Sequence, residues 1–130
     1  MNEIAKVIES WAKATRENRK DDILANHVAE LVIFDVLAPM KYESAVEYRA
    51  SWDEWQPETE GEFQFDIEEL NITEGNDVAF AHSFIRCGGT FPNGEVFHDL
   101  VRATFCLIKN AEQWKITHQH VSKPVELFQA

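Results

Sequence analysis

Trp114-Lys115-Ile116-Thr117-His118-Gln119-His120-Val121-Ser122 is the stretch whose reading decides the fold. Strict alternation puts Trp114, Ile116, His118, His120 and Ser122 on one face of a strand, with Lys115, Thr117 and Gln119 on the other. Trp and Ile at one end read as core. The His-His-Ser end reads as a polar patch at the rim of that core, where a cavity can open. Upstream, residues 63–67 alternate as Phe63, Phe65 and Ile67. Leu70 and Ile72 then alternate on the opposite parity, a slip at Glu68-Glu69 that a β-bulge would produce. Gly75-Asn76-Asp77 turns the chain into a strand over 78–87. Gly88-Gly89 can bulge or bend it, Pro92-Asn93-Gly94 is a hairpin signal, and 96–108 forms the next strand. A polar turn over 110–113 leads into the Trp114 strand, which Lys123-Pro124 ends.

The first half of the chain is mostly helical. Asn2 is an N-cap, and Ile4, Ile8, Trp11 and Thr15 repeat at helical spacing, widened by Val7. Asp21 or Asp22 can start a second, short helix carrying Ile23, Leu24 and Val28. Residues 31–37 read as a buried strand with one acid, Asp35, inside it. Ser44 and Glu47 form a capping box for a helix carrying Ala45, Tyr48, Trp52 and Trp55, closed by Pro57, with a loop over 58–62. Helices, one strand, a helix and a four-strand antiparallel meander make an α+β domain, with helices on one face of a curved sheet.

The 130 residues fit one domain spanning 1–130. A net charge of −11 disfavours nucleic acid and anionic membrane surfaces as partners. No apolar run is long enough to span a bilayer and no signal-peptide pattern opens the chain, so the expected address is the cytoplasm. Cys87 and Cys106 are expected as free, buried thiols, in neither a disulfide nor a metal-ligand spacing.

Register decides which polar side chains meet. If Asn93-Gly94 is a two-residue turn, Arg86 faces Val101 and His82 faces Phe105. If 110–113 is a four-residue loop, His118 faces Phe105 and His120 faces Ala103. Directly opposed residues point to the same side. His82, Arg86, His118 and His120 then share one face, with Phe84 and Phe105 among them. A bulge at Gly88-Gly89 would instead bring Arg102 and Thr104 beside Arg86.

The segments Asp77-Val-Ala-Phe-Ala-His82-Ser, Val101-Arg-Ala-Thr-Phe105 and Trp114-Lys-Ile-Thr-His118-Gln-His120-Val-Ser122 resemble the SnoaL-like, ketosteroid-isomerase-like branch of the nuclear transport factor 2-like superfamily. The association domain of calcium/calmodulin-dependent kinase II is similar in its ending and in an Arg at the place of Arg86. The resemblance implies a cone-shaped α+β fold, cystatin-like in kind, with a curved antiparallel sheet, N-terminal helices on its concave face and a pocket at the open end. It also implies homodimers, commonly formed by sheet packing on sheet.

The expected function is binding of a small organic molecule, anionic or carbonyl-bearing, in a pocket half aromatic and half polar. Tyr48, Trp52, His82, Arg86 and Phe105 are the candidate ligand contacts. The alternative is an isomerase, dehydratase or cyclase in which Asp35, His118 or His120 moves a proton, since an apolar wall pushes a carboxyl toward neutrality. A third reading is a non-catalytic oligomerisation module. Each residue also has a structural reading: core hydrogen bonds for the histidines, a salt bridge to Asp35 for Arg86, core packing for Tyr48 and the tryptophans. His-x-His lacks a third ligand at suitable spacing, so no metal and no cofactor are expected.

Overall fold

The computed structural model describes residues 2–54 and 63–125. Two helices and five strands follow in the order α1 (Glu3–Arg16), β1 (His27–Phe34), α2 (Ala45–Glu54), β2 (Gln64–Glu74), β3 (Val78–Thr90), β4 (Val96–Asn110) and β5 (Gln113–Ser122). The strands form a single curved, unclosed sheet of spatial order β1-β5-β4-β3-β2. β2 to β5 are the expected antiparallel meander. β1 instead joins its edge parallel to β5, so the sheet is not wholly antiparallel.

α1 starts where Asn2 Oδ1 accepts from the backbone N–H of Ile4 at 2.7 Å and of Ala5 at 3.3 Å. Glu3 in its first turn and Lys13 and Arg16 in its last complement the helix dipole. Its buried stripe of Ile4, Ile8, Trp11, Ala12 and Thr15 lies against the sheet. At its C-terminal end Arg16 Nη1 donates to Phe65 O of β2 at 2.8 Å.

The second short helix expected after Asp21 or Asp22 does not form. Consecutive turns take its place, with Asp22 N donating to Arg19 O, Ala25 N to Asp22 O and His27 N to Leu24 O. The sheet claims the chain too early for a helix: Asn26 O already accepts from Ile116 N at 2.8 Å. Ile23 is buried all the same. For the same reason β1 starts at His27 rather than residue 31. It ends at Phe34, because the chain folds back and Tyr42 exchanges both backbone hydrogen bonds with Ile33. α2 opens as expected, with Ser44 Oγ accepting from Glu47 N. The Glu47 carboxylate reaches back to Glu43 N. Trp55, Pro57 and the 58–62 loop lie outside the described residues.

The bulge in β2 falls at the expected place. Pairing with β3 shifts between Glu68 and Asn71, and Glu69 sits at φ 53°. Two other registers differ from expectation by one residue, and together they decide where the site lies. Pro92-Asn93-Gly94 sits inside a longer loop closed between Thr90 and Val96. Gly94, at φ 90°, donates to Phe91 O, and Phe91 N to Glu95 O. Arg86 therefore faces Leu100, Phe84 faces Arg102 and His82 faces Thr104, with pairing unbroken through Gly88-Gly89. Loop length, not a glycine bulge, brings Arg102 and Thr104 to the side of Arg86.

The second difference lies in β5. Asn110 pairs with Gln113 across Ala111 and Glu112, both at positive φ as a tight primed turn requires. Leu107 faces Ile116 as the sequence predicts. The register then shifts across Thr117, so that Cys106 faces His118 and Thr104 faces His120. This bulge turns His118 and His120 to the face opposite Trp114 and Ile116, and carries Gln119 inward.

The core lies between the helices and the inner face of the sheet. Ala81, Ile85, Val101, Ala103, Phe105, Leu107 and Ile116 are all buried there. Trp11 packs edge-on against Phe105 at 5.4 Å and against Phe65 at 5.3 Å. Beneath them a buried polar pair joins β1 to β5: His27 Nε2 donates to Gln119 Oε1 at 2.7 Å.

Candidate functional site

A cavity of about 280 Å³ opens between the helices and the inner face of the sheet. α1 contributes Trp11 and Thr15, and α2 contributes Tyr48 and Trp52. The end of β1 and the residues after it supply Asp35, Val36 and Leu37. Phe63 and Phe65 close one side, and Cys87 and Val121 come from β3 and β5. Phe97, Asp99 and Val101 come from one parity of β4. The wall is therefore mostly aromatic and aliphatic, and its two charged groups are both carboxylates.

The two acids differ in their surroundings. Asp99 takes Lys123 Nζ at 3.0 Å on Oδ1 and 3.2 Å on Oδ2, and its Oδ1 also accepts from Leu100 N at 3.0 Å. Asp35 accepts only from the backbone N–H of Val36, at 2.7 Å, and has no cationic partner among the described residues. Burial raises the Asp35 pKa above the usual carboxylate value, and the Val36 bond offsets part of that rise. Neighbouring groups feel the same field. The Tyr48 hydroxyl is pushed up by burial and then by the charge of Asp35. The Cys87 thiol is pushed up to about 11 by burial, then by Asp99, Asp35 and Asp66, so it stays protonated and unreactive at neutral pH.

Of the residues singled out from sequence, Asp35, Tyr48 and Trp52 line this cavity. Phe105 does not. It is wholly buried beneath Trp11, on the opposite face from the histidines. His82, Arg86, His118 and His120 do share a face, as expected, but it is the outer one, turned away from the cavity. The expected convergence of these four groups inside a hollow is thereby corrected.

Arg86 is not paired with Asp35. It is held by Glu68 across β2 and β3, Nε to Oε2 at 2.7 Å and Nη2 to Oε1 at 3.2 Å. His118 Nδ1 lies 2.7 Å from Val32 O, an acceptor only, so Nδ1 carries the proton. Phe34 meets both imidazoles edge-on, at 4.9 and 5.3 Å. His118 thus ties β1 to β5, and His120 packs beside it.

Sequence reasoning missed Asp99, Cys87, Trp11 and Phe97. A signal for Asp99 was present. It is the one charge in the run Phe97, Asp99, Val101, Ala103, Phe105 and Leu107, which alternation places on a single face. Cys87 joins Asp99 by facing it directly across β3 and β4. Among the described residues, no group of three or more His, Cys, Asp or Glu is placed to hold a metal ion, and no helix is long and apolar enough to cross a membrane.

Solved structures share this architecture over nearly its whole length. A nuclear transport factor 2-like protein of unknown function from Pseudomonas putida KT2440 is 27% identical, with a TM-score of 0.81, over 96% of this chain and 87% of that one. A ketosteroid isomerase-like protein from Erwinia carotovora atroseptica SCRI1043 is 17% identical, with a TM-score of 0.78, over 95% of each chain. The association domain of Caenorhabditis elegans calcium/calmodulin-dependent kinase II is 15% identical, with a TM-score of 0.74, over 92% of each chain. A curved α+β fold of the nuclear transport factor 2-like, cystatin-like class is therefore what the chain adopts. Within that class it belongs to the SnoaL-like domain family, whose sequence profile matches residues 4–126. No functionally curated protein matches the chain.

Proposed function

We propose that the chain binds a small, largely apolar organic molecule in the aromatic cavity, and that Asp35 exchanges a proton with it. One observation carries this reading: a carboxyl without a cationic partner sits in an apolar wall, its pKa raised by burial. A group in that state is poised to act as acid or base closer to neutral pH. The SnoaL-like family often binds small ligands or acts as an isomerase or dehydratase, which is consistent with such a group. The bond of Arg86 to Glu68 and its outward face speak against it as an anion anchor in this cavity. The carboxyl of Asp35, without a cationic partner in the wall, also opposes an anionic ligand.

Fluorescence titration tests the site, because Trp11 and Trp52 line it and a bound molecule changes their emission. Calorimetry in two buffers of different ionisation enthalpy then tests Asp35. Binding should take up or release a proton in the wild type and not in Asp35→Asn. Identical proton counts in the two proteins would remove Asp35 from the mechanism. The same half-buried carboxyl favours a second reading, an isomerase or dehydratase with Asp35 as its base. That activity would appear as exchange of protons next to a carbonyl into D2O, lost in Asp35→Asn.

Self-association belongs to the same proposal. The outer face of β3 and β4 exposes Val78, Phe80, Phe84 and Leu100, by 63%, 52%, 36% and 40%. Exposed apolar side chains of this kind, interleaved with His82, Arg86 and Arg102 on one face of a sheet, suit packing against a second copy. Sedimentation velocity should show a dimer for the wild type and a monomer for Phe80→Glu. A monomeric wild type would refute it.

A further inference from the structure

The balance of charge in the cavity goes beyond the presence of a ligand to its chemical class. Asp99 is already compensated by Lys123 on both oxygens, whereas Asp35 is not. No Lys, Arg or His of the described residues lines the wall. The stretches 55–62 and 126–130 contain none in their sequence, so neither can bring a basic side chain to Asp35. A half-buried carboxylate in an apolar wall without a cation is still costly, and the chain leaves this one to be neutralised by a proton or by something that enters.

The rest of the wall suits a cation. Trp11, Tyr48, Trp52, Phe63, Phe65 and Phe97 surround the space, and the faces of aromatic rings attract ammonium groups, Trp most strongly. The overall charge of −11 raises the local concentration of small cations and repels anions.

We propose that the cavity takes an organic ammonium ion, with its nitrogen set against Asp35 and its carbon substituents against the aromatic wall. The proposal rests on the reading of the cavity as a ligand site. An ammonium arriving charged meets the Asp35 carboxylate directly. A neutral amine reaches the same ion pair by taking the proton of the Asp35 carboxyl: the O–H bond breaks, an N–H bond forms, and no further reactant is needed.

The test is isothermal titration of the whole protein with benzyltrimethylammonium and with benzyl alcohol, a neutral compound carrying the same ring. The cation should bind at least about tenfold tighter than the alcohol, and the alcohol should compete with it. Asp35→Asn should lose about tenfold or more for the cation and keep its affinity for the alcohol. Because this cation has no proton to lose, acidifying the wild type should weaken it as Asp35 protonates, a readout that needs no variant. Equal affinity for cation and alcohol, or cation binding indifferent to both Asp35→Asn and pH, would overturn the proposal. Cation binding that the alcohol does not displace would mark association with the acidic surface and overturn it too. Alcohol binding without cation binding would overturn the ammonium assignment and leave the cavity reading standing. Failure of both compounds to bind would count against both.

Discussion

Acid should unfold this protein through one buried imidazole. His27 sits at the start of β1, about 9% exposed, with Nε2 bonded to Gln119 Oε1 and Nδ1 without a partner among the described residues. Protonation would place a second N–H and a positive charge where nothing accepts them. Burial lowers the His27 pKa from 6.5 to about 4; the Gln119 bond opposes that shift and the charge of Lys115 adds to it.

The sign follows from linkage. Between these two values the unfolded chain binds a proton that the folded chain refuses, so stability is full above pH 6.5 and falls as pH drops toward 4. The loss at pH 4.5 relative to pH 8 is about 2.5 kcal/mol, a large part of the stability of a domain this size. Urea unfolding at pH 8 and pH 4.5 for wild type and His27→Gln measures it. Glutamine can still donate to Gln119 but cannot titrate. Carboxylates affect both proteins alike, so the wild type should lose about 2 to 3 kcal/mol more than the variant across this range. Parallel losses would show that the His27–Gln119 pair is not what acid breaks.

Other outcomes follow from the same packing and registers. Phe105→Ala, which leaves a hole beneath Trp11 in the inner face, should cost about 3 to 5 kcal/mol by urea unfolding. Arg86→Ala should leave the urea midpoint nearly unchanged, because its pair with Glu68 is exposed, and should leave titrations of the cavity unchanged. Gly94→Ala should lower stability by about 1 kcal/mol through strain at its positive φ, not through a clash, since nothing lies within reach of an added methyl group. Asp35→Asn should raise stability at pH 7 while weakening ligand binding, since it removes a partly desolvated charge and keeps the oxygen that Val36 N uses.

Much of this architecture is legible in the chain without coordinates. The Asn2 cap, the Ser44–Glu47 cap, the Glu68-Glu69 bulge, the Gly75 turn and the pairing of Leu107 with Ile116 are local. Each depends on a few neighbouring residues whose hydrogen-bonding and φ preferences decide the outcome. Asp35, Tyr48 and Trp52 were reachable for similar reasons: a lone acid in an apolar strand, and an aromatic stripe at helical spacing. The short helix after Asp21 failed because a distant strand captured Asn26, which no local preference reports.

By itself, then, the sequence determined most of the element types, the family and the sharing of faces within each uninterrupted strand, because alternation is a property of the strand alone. Only tertiary structure decided which face looks inward. A loop closing between Thr90 and Val96 displaced β4 by one residue, and the bulge at Thr117 displaced the end of β5 by one. With a side-chain period of two, each single-residue step sends a set of side chains to the other side of the sheet. Those two steps put the histidines and Arg86 outside, and left Asp35 and Asp99 as the charges within.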